Sequence, residues 1–498
     1  MANLKSLAKE TAIYGLSSIV GRFLNYLLVP LYTAKLSAAS GGYGVITNVY
    51  ALTALMLVLL TYGMETGFFR FANKQEESPT RVYSTILISV FSTSLLFFLL
   101  ILGNLDGVAG FLGYADHPEY IGMMAAVVAL DAFQSIPFAW LRYKKKALKF
   151  AGLKLLFIIM NIGLNLLYFV ALPALYESHP EWVAGFYNPG VGVGYAFGIN
   201  LVCTASITVL FWPELTGFRY VFDYRLWRRI LAYSFPILIL GLAGILNQTV
   251  DKIIFPFVYD GTEQAARAQL GIYGAASKIA MIMAMLIQAF RYAYEPFVFG
   301  KSAEKDNRDT YAQAMKYFII FSLMAFLAVM FYMDLLRYII DSSYWEGLRV
   351  VPIVMVAEIF MGIYFNLSFW YKLTDQTHYG AWFSLTGCVV IVLLNVLLVP
   401  IYGYMACAWA GVAGYGVCML LSYFIGQKKY PIRYDLRCIG RYASLAIVLY
   451  FFSSLIPAEW DIFLRLAINT LLMGIFVAYT VKHDFPLRQL PIIGKWFR

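Results

Sequence analysis

Charged side chains lie inside stretches that are otherwise apolar, and these are the residues of this chain that could do chemistry. Exposing one such charge to lipid costs about 2.5–3.5 kcal/mol, so we expect these groups to face a hydrated cavity or one another. Buried Arg and Lys bind anions through charge-assisted hydrogen bonds, whereas buried acids can carry protons or sodium. The residues well inside apolar stretches are Arg22, Asp131, Asp251, Lys252, Lys278 and Glu358.

Helical spacing places several of these charges on polar faces. In the first apolar stretch, Arg22 and Asn25 continue a stripe of small and polar residues at steps of three and four. Glu358 and Asn366 share a face in the same way. A structural alternative stays open, in which the charges form ion pairs within a helix bundle. Four further residues mark one mouth of the predicted bundle, where gating and anchoring are both open roles: Glu65, Arg70, Arg291 and Glu295.

The composition predicts the elements that hold these charges. Of 498 residues, 61% are hydrophobic and only 13% are charged, which excludes a soluble enzyme and a disordered scaffold. A bilayer-spanning helix needs about 20 apolar residues, and the chain contains fourteen such windows. We therefore predict an all-α membrane protein with about fourteen transmembrane helices. The predicted spans are 11–34, 43–66, 82–104, 119–141, 150–172, 190–212, 231–256, 269–293, 311–333, 347–371, 379–400, 404–426, 440–456 and 460–481.

The basic residues predict the orientation. Most of the 38 Lys and Arg fall on one side of the predicted bundle, which is typical of cytoplasmic loops. The opposite side holds four, namely Lys35, Arg267, Arg337 and Arg349. We expect both termini in the cytoplasm of a multi-pass protein in a plasma membrane. The same distribution accounts for most of the net charge of +10 without a nucleic-acid partner.

The two halves of the chain resemble each other at an offset of 226 to 227 residues. At this offset Gly44 aligns with Gly271, and the carboxylate of Asp131 aligns with that of Glu358. An even number of spans per repeat makes the repeats parallel. We predict two parallel six-helix bundles around a central cavity, followed by two extra C-terminal helices. The corresponding regions are 1–222, 223–430 and 431–498.

Chemical motifs for catalysis or metal binding are missing from the sequence. The four histidines and five cysteines have no metal-ligand spacing, and Gly300-Lys301-Ser302 lacks the upstream glycine of a phosphate loop. We expect no catalytic residue, no metal and no cofactor. A membrane polymerase or ligase is the enzyme class considered, but the loops here are too short for its large outer domain.

Four segments resemble the multidrug/oligosaccharidyl-lipid/polysaccharide exporter (MOP) superfamily, and above all its oligosaccharide flippase branch of Wzx-like O-antigen and capsule translocases. They are the Asn25-Tyr26-Leu27-Leu28-Val29-Pro30 run, the stretch from Tyr62 to Phe71, the stretch from Phe290 to Phe297, and Asn395 through Gly403. The resemblance extends over the whole chain, because the number of spans and the internal repeat agree with it.

This resemblance implies translocation of a polyprenyl-pyrophosphate-linked oligosaccharide to the outer leaflet of a bacterial inner membrane by alternating access. It also implies coupling to H⁺ or Na⁺, membrane lipids as neighbours, and glycosyltransferases and a polymerase of the same pathway as partners. A cation-coupled multidrug exporter is the alternative. The resemblance maps substrate binding onto Arg22, Asn25, Lys252, Lys278 and Arg291. It maps ion coupling onto Asp131, Asp251 or Glu358. For Glu65, Arg70 and Glu295, gating is expected from their place at the predicted mouth.

Overall fold

The fold was obtained as a computed structural model that describes residues 26–74, 77–301, 308–374, 376–457 and 459–484, without the side chains of 292–301. Within these ranges all regular secondary structure is helical. A helix satisfies its backbone N–H and C=O groups internally, which the hydrocarbon core of a bilayer demands. The main helices are α1 (Leu28–Lys35), α2 (Gly42–Thr61), α3 (Met64–Ala72), α4 (Pro79–Gly103), α5 (Pro118–Tyr143), α6 (Ala147–Leu166), α7 (Gly194–Leu210), α8 (Tyr224–Val258), α9 (Glu263–Lys301), α10 (Arg308–Phe331), α11 (Val351–Leu367), α12 (His378–Tyr402), α13 (Tyr404–Lys429), α14 (Leu436–Ser454) and α15 (Ile462–His483).

Most of the predicted spans are present. Twelve described helical segments are long and apolar enough to cross a membrane, and they coincide with the predicted spans two to five and seven to fourteen. The sixth predicted span corresponds to α7, an apolar helix of 17 residues. Much of the first predicted span lies outside the described residues, so the count of fourteen stays a prediction. The all-α membrane class is confirmed.

Local sequence signals set several helix boundaries. The side chains of Asp223, Asp435 and Asp461 accept hydrogen bonds from the first free N–H groups of α8, α14 and α15. Between α2 and α3, Tyr62 and Gly63 have φ values of 30° and 72°, and this left-handed pair ends one helix and starts the next. Each boundary is therefore encoded by one or two residues.

Proline residues interrupt the backbone hydrogen bonds inside several spans. Pro137 lies within α5, Pro236 and Pro256 lie within α8, and Pro400 lies within α12. Each proline lacks an N–H, so the carbonyl group four residues earlier loses its helical donor. Helix α6 continues into a π-helical segment, Leu167–Ala171. At these positions, backbone carbonyl groups of the spans can accept hydrogen bonds from groups outside their own helix.

Residue contacts divide the chain into two compact units. Unit 1 contains the described residues up to Ala275 together with Cys388–Ala410. Unit 2 contains Ala276–Gly387 and the described residues from Gly411 onward. Residue contacts do not test an internal duplication of the chain. The regions 1–222, 223–430 and 431–498, which that duplication predicts, therefore stay a prediction.

An aromatic cluster holds α3, α4 and α5 together in unit 1. Phe68 is fully buried, and its ring lies 5.7 Å from Tyr143, 6.1 Å from Trp140 and 6.2 Å from Tyr83, measured between centroids. Tyr83 and Trp140 stack at 4.5 Å. Large apolar side chains such as Leu100 and Leu471 are exposed instead, as lipid-facing positions should be.

Replacing Phe68 with Ala should destabilise the folded protein by about 3–5 kcal/mol, because a fully buried ring with three aromatic neighbours leaves a cavity behind. Thermal unfolding in detergent should show a clearly lower Tm. The matched control is Leu100→Ala, which truncates a side chain that is 64% exposed. Equal Tm values for the two variants would contradict the assigned core.

Candidate functional site

Three predicted site residues lie outside what the structure describes. Arg22 and Asn25 precede the first described residue. Glu295 lies on the described backbone of α9, but its side chain is outside the described set. Their predicted roles in substrate binding and gating therefore stay predictions.

Asp251 and Lys252 form an ion pair inside α8. The Nζ atom of Lys252 lies 2.9 Å and 3.0 Å from the two carboxylate oxygens of Asp251, and it also donates to the carbonyl of Gln248 at 3.1 Å. The hydroxyl of Tyr273 donates to Asp251 Oδ2 at 2.7 Å. Asp251 is only 7% exposed, so this compensation is what allows a carboxylate at this depth. A predicted anion-binding residue and a predicted coupling residue are thus one charge pair.

Asp131 of α5 is half-buried, and it interacts with the ammonium group of Lys154 in α6 and with the hydroxyl of Thr204 in α7. Lys154 Nζ lies 4.0 Å from the centroid of the Phe138 ring. The sequence reasoning did not single out Lys154, although it lies inside the predicted span 150–172. The signal that could have identified Lys154 is its position as a single base in one apolar stretch. The preceding apolar stretch contains the acid Asp131.

The other three predicted charges within spans belong to unit 2. Lys278 and Glu358 are half-buried on α9 and α11, and neighbouring groups engage each of them. The guanidinium carbon of Arg291 lies 4.8 Å from the centroid of the Phe365 ring. Arg291 also borders a small cavity of about 10 Å³, room for one water molecule, beside Asn366. Within the described ranges the Oδ1 atom of Asn366 has no hydrogen-bond partner.

Two residues with predicted gating roles have partners that the sequence did not reveal. Glu65 of α3 forms a salt bridge with Arg142 at the end of α5. Arg70 is exposed, and its guanidinium carbon lies 4.5 Å from the centroid of the Tyr233 ring in α8. These contacts join α3 to α5 and to α8 at the end that the basic residues assign to the cytoplasm.

A second polar cluster lies at the opposite, predicted outer end of unit 1. Arg267 donates to both carboxylate oxygens of Asp116 at 3.2 Å and to the carbonyl of Gly113 at 2.7 Å. The hydrogen bonds from Arg267 lower the pKa of Asp116. We call Gly113, Tyr114, Asp116 and Arg267 the outer cluster. A sequence signal for the outer cluster was available, because Arg267 is one of only four basic residues predicted on this side and an acidic loop is predicted on the same side.

Close helix packing accompanies the outer cluster. A Cβ atom on Gly44 of α2 would overlap the carbonyl oxygen of Arg267 and would lie 3.0 Å from the N atom of Gly271, both in α9. Gly44 and Gly271 are the pair that the sequence offset aligns with each other. Only glycine lets the two backbones approach this closely.

Ion pairs and a hydrogen bond also connect α14, α15, α10 and the segment that follows α10 in unit 2. Lys316 Nζ lies 2.8 Å from Asp484 Oδ1, and the Tyr442 hydroxyl donates to Asp484 Oδ2 at 2.6 Å. A guanidinium nitrogen of Arg465 lies 2.8 Å from Asp334 Oδ2. Helices α14 and α15 also border a groove of about 850 Å³, lined by Arg437, Gly440, Arg441, Ser444, Leu445 and Tyr479.

The described part of the chain contains no group of three or more His, Cys, Asp or Glu side chains that could hold a metal ion. The five cysteines are buried and free of disulfides. The candidate site consists of cations and carboxylates in or beside the candidate membrane-spanning helices.

Comparison with solved structures assigns the fold. The chain resembles a lipid II flippase, MurJ, in an inward closed conformation, with a TM-score of 0.73 at 14% identity over 94% of this chain and 98% of that one. It also resembles an inward-facing multidrug resistance MATE family transporter of the MOP superfamily, with a TM-score of 0.65 at 14% identity over 81% of this chain and 93% of that one. Among curated proteins, none matches this chain.

Fold and sequence together define the class. The chain has the fold of these two structures, and the second is described as a member of the MOP superfamily, the one that the sequence motifs resemble. Residues 7–296 match the family described as polysaccharide biosynthesis protein. The chain belongs to this polysaccharide biosynthesis family.

Replacing Gly44 with Ala should weaken the packing of α2 against α9, because the added Cβ meets backbone atoms that cannot rotate away. We expect a loss of about 1–3 kcal/mol, seen as a lower Tm. Gly163→Ala is the control, since nothing lies within 4 Å of a Cβ at that helical position. A Gly44 variant as stable as the Gly163 variant would rule out the close approach.

The attachment of the last helix should depend on pH through Asp484. Burial alone would raise the pKa of Asp484, but the hydrogen bonds from Lys316 and Tyr442 outweigh it, and the net shift is downward. A carboxyl whose pKa is lower in the folded state stabilises the fold above its ordinary pKa and loses this contribution as the pH falls through the folded-state value. The Tm of the wild type should therefore exceed that of Asp484→Asn by a constant amount from pH 8 to pH 5. Below about pH 4 the difference should shrink. A difference that grows on acidification would refute the assignment.

Proposed function

We propose that this protein translocates an oligosaccharide linked to a polyprenyl pyrophosphate from the cytoplasmic to the outer leaflet of a bacterial plasma membrane, with both termini in the cytoplasm. The observation that carries the proposal is the Asp251–Lys252 pair, an ammonium group held within a membrane-spanning helix of a polysaccharide biosynthesis protein. The substrate is then made by glycosyltransferases and consumed by a polymerase of the same pathway.

The chemistry of the site suits a pyrophosphate. Its dense negative charge needs charge-assisted hydrogen bonds when it leaves water, and the ammonium group of Lys252 is such a donor. Arg291 stays a second cation that the sequence predicts to bind the substrate. An anion that approaches Lys252 competes with Asp251 for the same ammonium group, because both carboxylate oxygens of Asp251 lie within 3.0 Å of Nζ. Binding would thus free the Asp251 carboxylate, which could then take up a proton or a sodium ion.

Energy for transport is proposed to come from such ion uptake. Asp131, Asp251 and Glu358 are acids well inside the predicted spans, and protonation of any of them would change its interactions with neighbouring cations. Each state favours a different arrangement of the helices, which is the requirement for alternating access. No cofactor takes part in this proposal, and no reaction on the substrate is proposed.

Multidrug export is the second candidate, since MATE transporters share the fold. The share of this chain that each alignment covers favours the flippase, because it is 94% for the lipid II flippase structure and 81% for the MATE structure. The helix pair α14 and α15, with its groove and two arginines, is suited to a long lipid chain with an anionic head.

Transport should be measured in proteoliposomes that contain a fluorescent polyprenyl-pyrophosphate-linked oligosaccharide, with a membrane-impermeant quencher reporting its leaflet. Lys252→Ala and Arg291→Ala should each slow translocation by about tenfold or more, because each removes one charge-assisted contact of the pyrophosphate. Arg349→Ala is the control, since this exposed arginine pairs only with Glu346 among the described residues.

Unchanged transport in the Lys252→Ala/Arg291→Ala double variant, at normal Tm and normal membrane abundance, would exclude these residues from pyrophosphate binding. Export of a cationic dye without movement of the oligosaccharide would exclude the flippase in favour of the drug exporter.

A further inference from the structure

The carbonyl group of Lys252 cannot accept the usual helical hydrogen bond. Its donor would be the N–H of the residue four positions later, and that residue is Pro256, which has none. The side chain of Asn48 in α2 supplies the replacement, because its Nδ2 atom donates to the Lys252 carbonyl at 2.7 Å. A buried carbonyl needs such a partner, so α8 is tied to α2 at the point where Pro256 interrupts the helix.

The other end of the same amide group leads to the outer cluster. Asn48 Oδ1 accepts a hydrogen bond of 2.8 Å from the hydroxyl of Tyr114. Asn48 is 2% exposed and Tyr114 is 3% exposed, so both side chains lie in the interior of unit 1. The Asn48 amide therefore connects α8 to the loop that contains Tyr114.

Tyr114 in turn contacts Arg267. The guanidinium carbon of Arg267 lies 5.3 Å from the centroid of the Tyr114 ring. Arg267 also binds Gly113, which directly precedes Tyr114, and Asp116, two residues after it. A shift of Tyr114 would consequently disturb the contacts that hold α9 against this loop.

We propose that Asn48 is a positioning residue that couples the Asp251–Lys252 pair to closure of the predicted outer end. When Lys252 leaves Asp251, α8 bends at Pro256, the Asn48 amide loses its carbonyl partner, Tyr114 is released, and the outer cluster opens. The identity of the anion that draws Lys252 away rests on the proposed function, whereas the mechanical link does not.

Thiol crosslinking tests the link without any substrate. Gln264 donates to the carbonyl of Ala39 at 2.8 Å, and both side chains are exposed at the end where the outer cluster lies. The double substitution Ala39→Cys/Gln264→Cys, treated with a short membrane-impermeant bis-maleimide, therefore reports the closed state. The five native cysteines are buried and should not react.

Asn48→Ala should lower the crosslinking yield by about fivefold to tenfold, because it leaves two buried polar groups unpaired. Tyr114→Phe, which removes one oxygen atom and keeps the ring under Arg267, should lower it similarly. The double variant should lose no more than either single variant, since both cut one connection. Asn395→Ala should leave the yield unchanged, because that fully buried amide donates to Ile391 of its own helix.

Unchanged yield in both single variants, or losses that multiply in the double variant, would overturn the coupling. If Asn48→Ala does not fold, Tyr114→Phe and Pro256→Ala decide instead. Pro256→Ala restores the helical donor to the Lys252 carbonyl, and it should reduce the effect of Tyr114→Phe on crosslinking at least twofold. An undiminished effect would refute the role of Pro256 and with it the proposal.

The two proposals fail separately. A protein that moves no lipid-linked oligosaccharide and still shows this crosslinking pattern would refute the flippase function alone. A protein with normal oligosaccharide transport and additive crosslinking losses would refute the coupling alone.

Discussion

A charge within a membrane-spanning helix must be paired or hydrated, and this constraint shapes the whole molecule. Lys252 has Asp251 and Glu65 has Arg142, both within unit 1, and the charge of Lys154 stabilises that of Asp131. In unit 2, Lys316 has Asp484 and Arg465 has Asp334. Pairing lowers the free-energy cost of placing these charges in the membrane, and it also lets each charge exchange one partner for another. A paired ammonium group can pass from its carboxylate to an anion without ever standing uncompensated, as the proposed translocation of a pyrophosphate requires.

Buried amide side chains perform a related task between helices. Asn48 joins α2 to the interrupted backbone of α8 and to Tyr114. Asn165 of α6 accepts from the hydroxyl of Tyr32 in α1 at 2.7 Å, and Asn469 of α15 donates to the carbonyl of Phe331 in α10 at 2.9 Å. Lipid offers no strong alternative partner to such groups, so each bond persists until a movement of the helices breaks it. Uncharged hydrogen bonds of this kind can therefore transmit movement between helices without a change in charge.

Gly44 and Gly271 link the sequence repeat to the packing. They occupy equivalent places at an offset of 227 residues, and the structure puts them against each other. The parallel repeats that the sequence predicts would place such equivalent positions in contact at their two-fold axis. Small residues at such a place let the helices approach and separate without interlocked side chains. The predicted outer end thus combines a close contact between the α2 and α9 backbones with the hydrogen bonds of the outer cluster.

The sequence by itself determined the helices, because long apolar runs must satisfy their backbone groups internally and caps such as Asp223 and Asp461 mark where they begin. It also determined which spans carry charge and which superfamily the chain resembles. Only the tertiary structure decided the partners. Asn48 meets the Lys252 carbonyl across 204 residues, and Arg267 meets Asp116 across 151. Such pairings depend on the rotation and depth of each helix, and these are set by packing against neighbours that no local pattern specifies.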